Sequence, residues 1–339
     1  MRFRSWLKYR TSRGAALVAI LGLSMVAASC TLDAETGAAT GSFERTLNVD
    51  GPVDLDVVTG SGSIRVSAGS EREVRIVARI RASDSLLFPA SFTPSERVRG
   101  LESNPPIEQR GNVISVGEAG DPDLRRHVSI SYDVVVPART RLRTRSGSGD
   151  QTIDAIHGPV DVRAGSGSLK VGAIDELAKV STGSGTIEVS GASGLEARTG
   201  SGSVRAQGLT GSVEVRTGSG QVRLDRTGPG ASDVVTGSGG ISVTGADGPV
   251  RARAGSGGIR VEGRPQESWE LKAGSGDIEL RLDPAAAFDL DVRTGSGTIE
   301  TDHPVDTSEA ITRRRLQGRV RGGGPRLDVT TGSGSVSIK

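Results

Sequence analysis

The chain has one cysteine, Cys30, in 339 residues, so no intramolecular disulfide can hold it together. Its three histidines, His127, His157 and His303, are far apart and have no cysteine partners, so no metal-ligand spacing is visible. Aromatic residues make up 3% of the sequence, which excludes a core built on large rings. Charge of one sign is missing too: 42 basic side chains face 40 acidic ones, for a net +2. That balance argues against nucleic acid, which calls for a basic surface. The one long apolar run, Gly14 to Ser29, is sixteen residues, short for a membrane-spanning helix.

Glycine is abundant, with 49 residues, but it does not recur every third position as in collagen. It recurs as Gly-Ser-Gly, eleven times, beginning at Gly60, Gly147, Gly165, Gly183, Gly200, Gly218, Gly237, Gly255, Gly274, Gly295 and Gly332. From Gly147 to Gly274 the spacings are 18, 18, 17, 18, 19, 18 and 19. So short and regular a period marks a solenoid. Three positions before each first glycine stands an aliphatic residue, such as Val57, Val162, Val180, Val215 or Leu271, with Thr144 the exception. Four positions after it stands another, such as Ile64, Leu169, Ile187 or Ile278, with Gln151 the exception. Around both positions apolar residues alternate with period two, which is the strand signal.

Each coil therefore reads as strand, Gly-Ser-Gly turn, strand, second turn. The expected fold is all-β: a parallel β-solenoid of about 18 residues per coil, its two sheets enclosing a thin aliphatic core. The residue before each first glycine is always Thr, Ala or Ser, which suits an inward corner too tight for a large side chain. The glycines are expected at positive φ. The middle serines, Ser61 to Ser333, are expected to stack as a ladder of hydroxyls that donate from coil to coil.

The outward positions carry charge. Four residues before the first glycine, acids predominate (Asp56, Asp161, Glu196, Glu214, Asp233, Glu270, Asp291, Asp328). Two residues before it, bases predominate (Arg145, Arg163, Arg198, Arg216, Arg253, Lys272, Arg293). Adjacent stripes of opposite sign can neutralise one another as a solvated face. A second reading is an arginine row that grips an anionic polymer.

The first 29 residues read as a targeting segment: a basic start (Arg2, Arg4, Lys8, Arg10, Arg13), the apolar run, then Val26-Ala27-Ala28-Ser29-Cys30. This ending resembles a bacterial lipobox, with Ala27 where leucine is usual. The resemblance implies cleavage before Cys30 and lipid on its sulfur, hence a membrane-anchored protein of the cell envelope. Thr31 in place of Asp favours the outer membrane of a two-membrane bacterium. Residues 30–42 are small and polar and read as a tether. The first coil is expected over Phe43 to Ser67. Residues 83–127 break the repeat. Within them Thr93-Pro94-Ser95-Glu96 is a capping box with proline at the first helical position, so a short helix should run to about Glu102 with Val98 and Leu101 inward. This insert is placed over the first end of the stack. A second insert, residues 302–326, is expected to be a loop and then a strand, Leu316 to Val320, turned back at Gly322-Gly323-Gly324.

Val128-Ser129-Ile130-Ser131-Tyr132-Asp133-Val134-Val135-Val136-Pro137, then the coils, then Gly322-Gly323-Gly324-Pro325-Arg326-Leu327-Asp328-Val329 and a last Gly-Ser-Gly coil, resemble the DUF4097 family, bacterial proteins labelled adhesins. The resemblance covers roughly residues 43–339. It implies a β-solenoid displayed at the cell envelope, and it brings no catalytic residues with it.

No residue set for chemistry stands out. Asp follows Gly-Ser-Gly only at Asp150 and Asp277, so a calcium-binding roll is not indicated. The Gly-x-Gly pieces do not open helices and are not followed by Lys-Ser/Thr, so they are not phosphate loops. A polysaccharide lyase or hydrolase is the enzymatic rival, but every coil supplies similar acids and none is singled out. The densest basic patch of the mature chain is Arg313, Arg314, Arg315, Arg319 and Arg321, a candidate contact for anionic lipid or polysaccharide. The expected function is a lipid-anchored, non-catalytic adhesion or interaction module. It needs no cofactor, and its partners are a membrane through Cys30 and a surface glycan or envelope protein. The alternative is an envelope-stress component that binds a membrane partner.

Overall fold

The computed structural model describes residues 38–84, 91–118, 120–307 and 312–339. The targeting segment, Cys30 and most of the expected tether lie outside the described residues. Gly37–Lys339 forms one compact unit. Its chain opens with strands β1 (Ala38–Asn48), β2 (Val53–Ser61), β3 (Ile64–Ala68) and β4 (Glu73–Ser83), then helix α1 (Pro94–Ser103) and strands β5 (Ile107–Arg110), β6 (Val113–Val116) and β7 (Val128–Val136).

The β-solenoid is present. Strands preceding the Gly-Ser-Gly turns pair in parallel with their repeat positions aligned: Val57 with Thr144, Thr144 with Val162, then Val180, Ala197, Val215, Val234, Ala252 and Leu271 in one row. The strands after the turns form a second row, in which Leu169, Ile187, Val204, Val222, Ile241, Ile259 and Ile278 pair in turn. Both rows are buried and face one another across the core. Register is pinned because a slip by one residue would turn every aliphatic side chain to water. Gln151, the polar exception, is buried but its amide donates to Ser146 Oγ at 2.9 Å and Arg163 O at 2.7 Å.

The turns differ from expectation in a way that explains their composition. A Cβ on Gly165 would lie 2.6 Å from the carbonyl oxygen of Gly147, one coil away, and a Cβ on Gly167 2.3 Å from that of Gly149. Close stacking of backbone on backbone, more than positive φ, demands glycine there; Gly167 has φ +139° but Gly165 does not share it. The coil-to-coil hydroxyl ladder belongs to threonine rather than serine. Thr182 donates to Gly167 O at 3.2 Å, Thr217 to Gly202 O at 3.2 Å, Thr236 to Gly220 O at 3.2 Å and Thr331 to Gly276 O at 2.8 Å. The middle serines are in register, as at Ser148, Ser166 and Ser184, but exposed. They bond through the backbone instead: Ser219 N donates to Gly200 O at 3.0 Å.

At the first end β1 pairs antiparallel with β4, β4 antiparallel with β7, and β7 parallel with β3. The expected tether is therefore too long: Ala38 to Ser42 already lie in β1, opposite Ser83 to Arg79. The first coil begins at Val53, not Phe43. Pairing with β1 satisfies an edge of β4 that would otherwise be open. Helix α1 has the capping box, with Thr93 N donating to Glu96 Oε2 at 2.8 Å and Glu96 N to Thr93 Oγ1 at 3.3 Å, and it ends at Asn104. Val98 and Leu101 are buried as expected. So is Arg97, which donates to Ser83 O at 3.1 Å, Asp84 Oδ1 at 3.0 Å and Arg126 O.

The other end is not in chain order. Strand Arg326–Thr331 lies between Trp269–Ala273 and Phe288–Thr294, parallel to both. The last coil in sequence is thus inserted one place inward, and the coil of Gly295 takes the end. Strand Arg315–Val320 then runs antiparallel to Phe288–Thr294, and Val305–Asp306 antiparallel to it.

Candidate interaction surfaces

On the sheet that precedes the turns, the two charged stripes are tied together. Arg145 reaches Asp56 at 2.9 Å, Arg163 Asp161 at 2.7 Å, Lys179 Glu196 at 3.1 Å, and Arg198 and Arg216 both reach Glu214 at 3.0 and 2.8 Å. Glu270 takes Arg251, Arg253 and Lys272. Hydrogen bonds from Lys272, then from Arg253 and Arg251, hold the Glu270 carboxyl down at about 2. The arginines that an anionic polymer would need are thus largely committed to acids of the same face.

The expected basic patch is spread over several environments. Arg313 and Arg314 occupy the turn before strand Arg315–Val320. Arg315 and Arg319 project from one face of that strand, Arg315 donating to Gln317 at 2.9 Å. Arg321 turns away and bonds the carbonyl of Pro284 at 2.8 Å. Arg319 faces an acid, its Nε lying 3.9 Å from Asp289 Oδ1.

Arg319 helps to line a cleft of about 640 Å³ at the last coil, with Asp289, Asp291, Asp306, Gln317 and Arg326. Strand pairing assembles it: Asp289 lies between Arg326 and Arg319, Asp291 between Asp328 and Gln317, and Asp306 opposite Arg319. Asp291 is only 7% exposed. Its Oδ2 receives Arg293 at 2.8 Å and Arg326 at 3.2 Å. Its Oδ1 is buried without a hydrogen-bond partner, as is Asp289 Oδ1. A buried carboxylate oxygen left unpaired is costly, and a ligand that donates to it recovers that cost. In sequence Asp291 is one of eight similar outward acids; only the antiparallel strand laid beside it sets it apart.

The histidines stay separate. His157 is 3.6 Å from Asp175, and His303 packs edge-on against Phe288 with ring centres 5.5 Å apart. Among the described residues no three His, Cys, Asp or Glu side chains come together as metal ligands, and no helix is long and apolar enough to cross a membrane.

A family model described as Toastrack DUF4097 matches residues 170–339, which are 170 of the 339. The span takes in the coils from Gly183 onward and the Gly322-Gly323-Gly324-Pro325 ending; the Tyr132 to Pro137 strand precedes it. Among solved structures the chain is similar to a "putative adhesin" from Parabacteroides distasonis (10% identity, TM-score 0.37, covering 88% of this chain and 97% of that one). It is similar to a "putative lipid binding protein" from the same organism (13% identity, TM-score 0.37, 88% and 97%). A "putative cell adhesion protein" from Clostridium sporogenes also aligns (11% identity, TM-score 0.24, 89% and 99%). No curated protein matches the sequence.

Proposed function

The chain belongs to the Toastrack DUF4097 family, and from that premise we propose that it is a non-catalytic adhesion module of the bacterial cell envelope. It is anchored by lipid on Cys30 and binds its partner in the cleft at the last coil. One observation carries this reading: Asp56 and Asp233 on the coil faces also keep an Oδ1 without a hydrogen-bond partner, but among the described residues only at the cleft does an antiparallel strand, Arg315–Val320, lay donors beside such oxygens, those of Asp289 and Asp291. Those acceptors, with the donors Gln317, Arg319 and Arg326 beside them, suit a hydroxyl-rich ligand such as a surface glycan. The coils between anchor and cleft act as a spacer.

Two measurements test it. Radiolabelled palmitate should enter the protein in cells, and Cys30→Ser should abolish both label and membrane sedimentation. On a glycan array, the full chain should bind a restricted set of glycans, and Asp291→Asn with Arg326→Gln should weaken that binding about tenfold or more, the scale of losing one charge-assisted hydrogen bond in a desolvated site. An unchanged pattern in the double variant removes the cleft from the account. Loss of a protein pulled down from the envelope, with no glycan bound, moves the reading to a protein partner. A product released from uronates or neutral glycans would make the chain an enzyme.

A further inference from the structure

The first end of the solenoid carries two arginines unlike those of the coils. Arg79 and Arg81 project outward from β4, two residues apart and therefore on one face, with side chains about 6.7 Å apart along the strand. The residues directly opposite them carry hydroxyls; the next outward pair along the sheet, Glu44 and Asp133 on either side of Val77, carries carboxylates. Arg79 lies between Ser42 of β1 and Ser131 of β7, and Arg81 between Thr40 and Ser129. These residues line a cleft of about 480 Å³. Arg75, on the same strand, is taken by Glu44 at 2.6 Å, and Arg65 on β3 faces Asp133 at 3.8 Å. Arg79 and Arg81 are exposed and form no ion pair among the described residues. The hydroxyls keep spare capacity. Ser129 donates to Ser61 O at 3.0 Å and can still accept; Ser131 Oγ accepts from Ser63 N at 3.2 Å and can still donate.

Two guanidinium groups at this spacing can straddle one phosphate with charge-assisted hydrogen bonds, and four hydroxyls around them suit an alcohol attached to it. The position selects the source. β1, which supplies Thr40 and Ser42, begins eight residues after Cys30, a span of at most about 29 Å when fully extended. We propose that Arg79 and Arg81, with Thr40, Ser42, Ser129 and Ser131, bind the phosphate-glycerol headgroup of an anionic phospholipid in the membrane that holds the chain. The membrane source rests on the anchoring of Cys30 proposed above; the headgroup chemistry does not. Binding there sets the first end of the stack against the bilayer and directs the cleft at the last coil away from it.

The test uses the full chain in neutral detergent, titrated with dihexanoyl-phosphatidylglycerol, dihexanoyl-phosphatidylcholine and inorganic phosphate. Phosphatidylglycerol should saturate at concentrations where phosphatidylcholine does not bind. Arg79→Gln with Arg81→Gln should weaken it tenfold or more with an unchanged far-UV spectrum. Arg205→Gln with Arg223→Gln removes the same charge from two residues paired in mid-stack and should leave binding as it was. Equal weakening by both pairs means diffuse attraction and overturns the site. Inorganic phosphate that binds as tightly as phosphatidylglycerol makes it a free-anion site, and equal binding of both lipids removes it. Absence of palmitate from the wild type would end the anchoring while leaving this titration to be decided on its own.

Discussion

A methyl group decides whether two coils can stack. At Gly167 it would meet the backbone of Gly149 at 2.3 Å, and no flexible side chain is there to yield. Gly167→Ala is expected to cost about 3 kcal/mol or more, by overpacking and backbone strain together. Ser166→Ala, at an exposed and unbonded hydroxyl one residue away, should stay within about 0.5 kcal/mol. Urea melts of the two variants separate a turn made by steric need from one made by a serine ladder. Sequence alone made the two residues look equally necessary, because both recur in every copy; only the distances tell them apart. Arg226 was not legible in the same way. It is 4% exposed, lies beside Leu209 of the neighbouring coil, and donates to Gly211 O at 2.8 Å and Gly228 O at 3.1 Å. Titration belongs to this scale as well. Glu270 is held near 2 in the folded chain against an ordinary 4.5, so its stabilisation is fully present above about pH 4.5 and lost as pH falls toward 2. Thermal melts across that window should show stability falling with acid, and Glu270→Gln should make the fall shallower.

Among the elements, α1 was readable from its capping box and its apolar pair, but its tightest attachment was not. A charged residue in an amphipathic pattern is assigned to solvent, yet Arg97 is wholly buried and ties α1 to the ends of β4 and the loop before β7. Arg97→Ala should cost about 3 kcal/mol, from lost packing and from carbonyls left without donors. It should also open residues 83–127 to limited proteolysis before the coils unfold. The inserted last coil was equally hidden. A gap of 37 residues between Gly295 and Gly332 fits two coils in either order. The strand Arg315–Val320 is antiparallel, so it can close a sheet but not continue the stack, and the chain returns to the place beside Trp269. The cleft follows from that detour. Its acids therefore could not be told from the other outward acids until the pairing was known.

At the scale of the molecule, eleven coils put about 48 Å between the first turn and the last, at about 4.8 Å per step. In a nearest-neighbour stack each middle coil touches only the coils on either side, so one whole coil can be removed without changing how the rest pair. Excising Gly183 to Thr199 tests this most directly. The cut removes one whole coil and joins Thr182 to Gly200. The aligned rows then bring Ala178 beside Val213 and Lys179 beside Glu214, replacing the lost pair with Glu196. A far-UV melt of the excised full chain should show an unchanged β signal per residue and one cooperative transition near that of the parent, whereas removing only 183–191 should abolish both. A collapsed signal after the whole-coil excision, or a half-coil deletion that folds as well, would contradict in-register stacking of equivalent coils.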